Sequence, residues 1–269
     1  MKKRKKVGLA LGSGAIRGFS HIGVIKKLLE NNIPIDYIAG SSIGSWVGAH
    51  YALFQNLEKL EELTVQKQKE KFLSFIEPSI NGGVIKGKKI EKLLEEWLED
   101  SDFSDTKIPI SIVATDLYEG NTVVLTTGKL APAVRASMSV PTLFKPVEHQ
   151  DKILIDGGIS NPVPDDVVRA MGADVVISVN LDNYIKNETF TKKQQKSLSK
   201  ISTRSLNIIR YHLSKYSTSS SDVIIEPYTP TLGINSFRQY FAHKVGIDLV
   251  KNGYDETEKH IEKIKKLIK

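Results

Sequence analysis

Residues 6–54 alternate strand, helix, strand, helix, and both passages from strand to helix are built from small residues. Lys6 to Leu11 reads as a buried strand and Ile33 to Ala39 as a second. Between them, His21 to Asn31 carries Ile22, Ile25, Leu28 and Leu29 on one face at helical spacing, and Trp46 to Leu53 continues as an apolar helix. A βαβα opening implies a parallel sheet covered by helices, because parallel neighbours need a crossover between them. Both strand-to-helix loops then open on one edge of the sheet, outside the strand C-termini, and candidate chemistry belongs there.

The second loop, Gly40-Ser-Ser-Ile-Gly44, is a G-x-S-x-G pattern. A hydroxyl at the tip of such an elbow is lifted clear of its own backbone, and small neighbours let a substrate approach. Ser42 has glycines at both flanking positions, Gly40 and Gly44, whereas Ser41 and Ser45 do not. A plain turn is the alternative reading of the pentapeptide.

The first loop, Leu9 to Gly18, holds Gly12, Ser13, Gly14, Ala15, Arg17 and Gly18 in front of the first helix. Small residues there leave backbone N–H groups uncovered beside the positive end of a helix, a setting for an anion or an oxyanion. A dinucleotide fingerprint competes with this reading. Gly12 and Gly14 fit it, but Arg17 occupies the third glycine position and Gly18 comes one residue late. Asp36, the candidate ribose ligand, reads as mid-strand rather than at a strand end. The stretch Gly82 to Lys89 imitates a phosphate-binding loop, yet Lys89 stands where a Ser or Thr hydroxyl would meet Mg²⁺.

Asp156-Gly157-Gly158 follows the apolar strand Lys152 to Ile155. It is either a simple Asp-Gly turn or a carboxylate delivered to the same sheet edge as Ser42. Of the six histidines, His21 lies in the first helix and His50 on the helix after the elbow, while His149, His212, His243 and His260 stand outside any recognisable motif. A Ser-Asp-His triad of the α/β-hydrolase type, with His212 or His243, has the right chain order. Against it, only one clear strand precedes the strand that leads into the elbow.

The remaining chain continues the α/β pattern. Residues 56–70 and 88–99 are amphipathic and helical and are placed as a lid over the sheet edge. Ile108 to Ala114 and Asn121 to Thr126 alternate as strands around Tyr118-Glu-Gly120. Asp174 to Val179 and Val223 to Glu226 are further strands, with helices near Val167–Met171, at 198–216 and from Phe237 onward. The fold class is α/β, with a mostly parallel central sheet flanked by helices on both faces. The whole chain, 1–269, is expected to be one domain, with its core in about 7–180 and 181–269 completing it.

There is no cysteine, which excludes a catalytic thiol and thiolate metal sites, and no stretch approaches a membrane span. The basic start, Lys2 to Lys6, lacks a following apolar region, so a cytoplasmic location is expected. The net charge of +7 leaves anionic partners open. Within Lys186–Lys215, eight basic residues face one acid, Glu188, and Leu198, Ile201, Ser205, Ile208, Ile209, His212, Leu213 and Tyr216 share one helical face. Such a helix either lies on an anionic membrane or docks on the sheet by that face with its charges in water. Docking on the sheet is the expected arrangement.

These motifs together resemble the patatin-like phospholipase family. The resemblance rests on Gly8 to Gly18 running into His21–Ile25, on Ala39 to Gly44, on Val134 to Pro141 with Leu143 to Pro146, and on Ile155 to Gly158 with Asn161 to Pro164. It departs from the family's glycine run at Ser13 and Ala15. The resemblance implies a three-layer α/β/α fold and a Ser–Asp dyad without histidine. Ser42 would be the nucleophile and Asp156 the base. The amides around Gly12, Ser13, Gly14, Ala15, Arg17 and Gly18 would form an oxyanion hole, with Gly40, Gly44, Gly157 and Gly158 supporting the motifs and Arg135 supporting the active-site loops. It implies a lipid or lysophospholipid ester as substrate, with no cofactor, no metal and no nucleic acid; the non-enzymatic alternative is a catalytically silent membrane-surface binding protein of the same fold.

Overall fold

In the computed structural model the described residues are 4–66, 87–187, 189–192, 194–229 and 243–269. The opening strands are β1 (Val7–Leu11) and β2 (Tyr37–Ser41), and each leads into its own helix, α1 (Ser20–Glu30) and α2 (Ile43–Phe54). Then come α3 (Leu57–Glu61), α4 (Lys88–Trp97), β3 (Ile110–Asp116), β4 (Thr122–Leu125) and α5 (Leu130–Ser137). A hairpin of β5 (Val147–His149) and β6 (Lys152–Asp156) precedes α6 (Asp165–Ala170) and β7 (Val175–Val179). The chain closes with α7 (Leu198–Tyr216), β8 (Val223–Ile225), α8 (His243–Glu258) and α9 (Ile261–Ile268).

The eight strands form one mixed sheet. Its core, β3-β2-β1-β7-β8, is parallel throughout, and β4, β5 and β6 add antiparallel pairings. The short β5, which pairs with β6 through Val147↔Leu154, gave no sequence signal: three residues are too few to show a period.

Side-chain alternation sorts the sheet into two unequal faces. Val7, Leu9, Leu11, Ile38, Ile110, Ile112 and Ile177 join the larger core with residues of α1, α2, α4, α5, α8 and α9. Ala10, Ala39, Val113 and Val176 face the other way, onto Val167 and Val168 of α6. Small residues on that face let α6 sit close. The result is a three-layer α/β/α arrangement. Helix α8 crosses α1 at a glycine: a Cβ on Gly253 would fall 2.0 Å from the Ser20 carbonyl oxygen.

Two placements differ from expectation. The segment 57–66 and α4 do not line the cleft over the strand ends, and residues 67–86, which include most of the Gly82–Lys89 stretch, lie outside the described residues. Helix α7 is turned over. Its apolar face is exposed, with Leu198 at 80%, Ile209 at 61% and Tyr216 at 78%, while Ser214 is buried and Arg204, Asn207 and Arg210 are partly so. It docks through polar contacts, because its inward side chains meet the polar site described next.

Candidate active site

The elbow and the acid meet because two strands end along one edge of β3. Strand β4 pairs with Ile112 to Thr115 and so occupies one edge. The parallel β2 reaches Val113 through Ser41, and the antiparallel β6 reaches Ala114 through Asp156, so these two share the other edge and converge. The next residue of the β2 chain is Ser42, and its hydroxyl donates to Asp156 Oδ2 at 2.5 Å. The other carboxylate oxygen, Oδ1, accepts the Gly158 N–H at 2.8 Å. Both side chains are buried.

Ser42 adopts φ 52°, ψ −124°, the strained geometry of a nucleophile elbow. Its N–H donates to Ser137 Oγ at 2.8 Å, and that hydroxyl donates in turn to the Val113 carbonyl at 2.6 Å. The Ser42 carbonyl accepts the Ser45 hydroxyl. Gly44 is required by close approach, since a Cβ there would lie 2.1 Å from the Leu11 carbonyl oxygen. Gly40 packs on the backbone of Gly44 and Ser45, Gly157 on the Val113 carbonyl, and Gly158 on the Ser13 side chain.

The glycine-rich loop runs beside this pair. Gly12 N–H donates to the Val179 carbonyl, Ser13 N–H to Pro162, and Arg17 N–H to Gly14, so these three amides are engaged within the fold. The amides of Gly14 and Ala15 carry no hydrogen bond among the described residues. Both residues line the same pocket as Ser42, and Gly18 turns away against Ile43. Ala15 sits at φ 50°, where glycine would be unstrained. Buried His21 holds the loop from α1 through its Nε2, 2.8 Å from the Gly12 carbonyl.

The pocket is about 270 Å³ and is walled on its far side by Tyr184, Thr203, Asn207 and Arg210. Arg210 donates to Ser13 Oγ at 2.9 Å and to Asp182 Oδ2 at 2.9 Å. Asp182 also faces Arg17 at 3.5 Å, and the Arg17 guanidinium stacks on Tyr184. Burial raises the Asp156 pKa above its ordinary value. The Ser42 hydrogen bond, Arg210 and the Gly158 amide oppose that rise, and Asp182 adds to it. The carboxylate is thus a stronger base than an exposed one, held within reach of a hydroxyl proton.

Other candidates fall elsewhere. Asp36 precedes β2 and pairs with Arg4 and Lys6, far from a ribose position at a strand C-terminus. No histidine lines the Ser42 pocket among the described residues. His50 packs between Trp46 and Phe54, His212 is exposed on α7, and the His243 side chain lies outside the described residues. No group of three or more His, Asp or Glu side chains is arranged to hold a metal among the described residues, and no described helix is long and apolar enough to cross a membrane. Arg135 is buried and donates to Ser139 Oγ and the Lys145 carbonyl, bracing the loop before β5. Ser139 in turn accepts the Asp156 N–H through its carbonyl. Sequence reasoning gave Ser137, Arg210 and Asp182 no role at the site: Ser137 lies within the Val134–Pro141 stretch and Arg210 in the basic Lys186–Lys215 segment, but neither pattern points to the Ser42 pocket.

A three-layer α/β fold with a serine elbow and a glycine-rich loop on one sheet edge defines a recognised class of protein. Residues 9–168 match the profile of the patatin-like phospholipase family, and the chain belongs to that family. It is 36% identical over 178 residues to an uncharacterized NTE family protein of Mycobacterium tuberculosis, covering 66% of this chain and 49% of that protein. It is 32% identical over 192 residues to human patatin-like phospholipase domain-containing protein 6, covering 69% of this chain and 14% of that one. The chain therefore spans about half the length of the mycobacterial relative and a small part of the human one. Among solved structures, VipD from Legionella pneumophila shares the fold, with a TM-score of 0.60 at 14% identity over 97% of this chain and 67% of that one.

Proposed function

We propose that this chain is a carboxylic ester hydrolase acting on lipid or lysophospholipid esters through a Ser42–Asp156 dyad. The observation that carries the reading is the 2.5 Å hydrogen bond from the Ser42 hydroxyl to a buried carboxylate, at a strained elbow beside two amides that carry no hydrogen bond among the described residues. Asp156 Oδ2 takes the hydroxyl proton as Ser42 Oγ attacks the ester carbonyl. The Gly14 and Ala15 amides receive the oxyanion. Asp156 returns the proton to the departing alkoxide, leaving the acyl group on Ser42. It then draws a proton from water, which attacks the acyl carbonyl, and passes that proton to the departing Ser42 Oγ, releasing the free acid and restoring the serine hydroxyl and the carboxylate. The chemistry calls on no cofactor.

Membership of a phospholipase family and the apolar rim residues Ile16 and Val140 support a lipid ester. The alternative triad has less support, since His212 is exposed and does not line the pocket. Labelling with a fluorophosphonate probe, alongside p-nitrophenyl ester turnover, tests the reading. Ser42→Ala should lose both signals, and Asp156→Asn should lose at least roughly 10³ in kcat. His212→Ala and His243→Ala should retain activity. Loss of turnover in either histidine variant, or labelling that survives Ser42→Ala, overturns the dyad.

A further inference from the structure

Helix α7 presents the wrong side to the protein for an ordinary amphipathic helix. At about 100° per residue, Leu198, Ile209 and Tyr216 cluster on one side and Asn207 and Ser214 on the opposite side. The side facing the protein is the polar one, and Leu198, Ile201, Leu206, Ile208 and Ile209 are exposed, Leu206 at 62% and Ile209 at 61%, while Leu213 is half-buried. Exposed lysines lie at both ends of the helix, Lys192, Lys196 and Lys200 at its start and Lys215 at its end, and no acidic residue lies within α7. The inner side of the same helix supplies Thr203, Asn207 and Arg210 to the pocket wall.

We propose that the outer face of α7 docks on an anionic lipid bilayer. Leucine, isoleucine and tyrosine flanked by lysines match the boundary between acyl chains and anionic head groups. A second copy of the chain would bring the same lysines against each other, which charge disfavours. The inner side would then hold the pocket wall at the membrane surface, so a lipid reaches Ser42 with a short departure from the bilayer. The docking does not depend on the chemistry proposed for Ser42.

Co-sedimentation of the full chain carrying Ser42→Ala separates the two questions. Vesicles of equal parts phosphatidylglycerol and phosphatidylcholine are compared with phosphatidylcholine alone, at low and high salt. Binding should be at least about tenfold stronger to the anionic vesicles and should weaken with salt. Leu206→Glu and Ile209→Glu should each lower it about tenfold while keeping the parent thermal midpoint, since both side chains already face solvent. Equal binding by the parent and both variants, or no binding to anionic vesicles, overturns the proposal. So does a dimer in light scattering that either variant dissolves, which would assign the face to a second copy.

Discussion

The Ser42 hydroxyl and the Asp156 carboxylate meet at 2.5 Å because their strands end opposite adjacent residues of β3, Val113 and Ala114. The pair is therefore set by backbone register rather than by side-chain reach. An elbow on one strand and an acid on an antiparallel neighbour converge along a single edge. The tuning around the pair is the part most open to experiment.

Ser137 is expected to hold the elbow. Its hydroxyl accepts the Ser42 N–H and donates to the Val113 carbonyl, bridging α5, the elbow and β3. Ser137→Ala strands a buried N–H, which costs about 1–3 kcal/mol. Chemical denaturation should show that loss. Turnover of a soluble ester should fall about tenfold in kcat with little change in KM, because orientation of the nucleophile is impaired rather than access. An unchanged kcat would rule out a role for this bridge.

Arg210 and Asp182 should move the acid limb of the pH–rate profile in opposite directions. Under the proposed mechanism that limb reports deprotonation of Asp156, with activity lost as pH falls through its pKa. Arg210 lowers the Asp156 pKa and Asp182 raises it. Arg210→Met should shift the limb to higher pH, and Asp182→Asn to lower pH. Shifts of the same sign in both variants would mean that structural damage, not charge, is being measured.

How much of this was legible in the sequence follows from which signals are local. The βαβα opening, Ser42 and the two glycine loops announce themselves through period and residue size within a few positions. Asp156 could be placed at a strand end, but its pairing with Ser42 depends on β6 running antiparallel along β3, and pairing partners leave no mark within a short window. Helix α7 failed for a different reason. Its apolar stripe was legible, but which side of a helix is buried depends on what it packs against. Here Asp182 and Ser13 draw Arg210, and with it the polar face, inward.

Ala15 carries backbone strain that glycine would relieve. At φ 50° an alanine pays roughly 1–2 kcal/mol, and glycine's extra freedom in the unfolded chain returns part of that. Ala15→Gly should therefore raise stability by about 0.5 kcal/mol and keep activity within about twofold, since the amide remains. Ala15→Val, β-branched at a positive φ, should destabilise by about 2 kcal/mol. A stabilising valine would show that the loop does not hold this geometry in solution.

Two buried histidines make the fold acid-sensitive. Burial lowers the pKa of His21 and of His50 to about 4, from the ordinary 6.5. The unfolded chain takes up these protons near pH 6.5, whereas the folded chain resists until about pH 4, so stability declines as pH falls across that window. Each group contributes up to about 3 kcal/mol of that loss. His50 is the cleaner test. Its two ring nitrogens lack a hydrogen-bond partner among the described residues, and its ring packs 5.5 Å from Trp46 and 4.8 Å from Phe54. His50→Phe keeps the aromatic packing and removes both the titration and the unsatisfied nitrogens. Thermal unfolding should place the variant above the parent at pH 7.5 and further above it at pH 5. A gap that stays constant with pH would show that His50 does not titrate between the folded and unfolded states in this range.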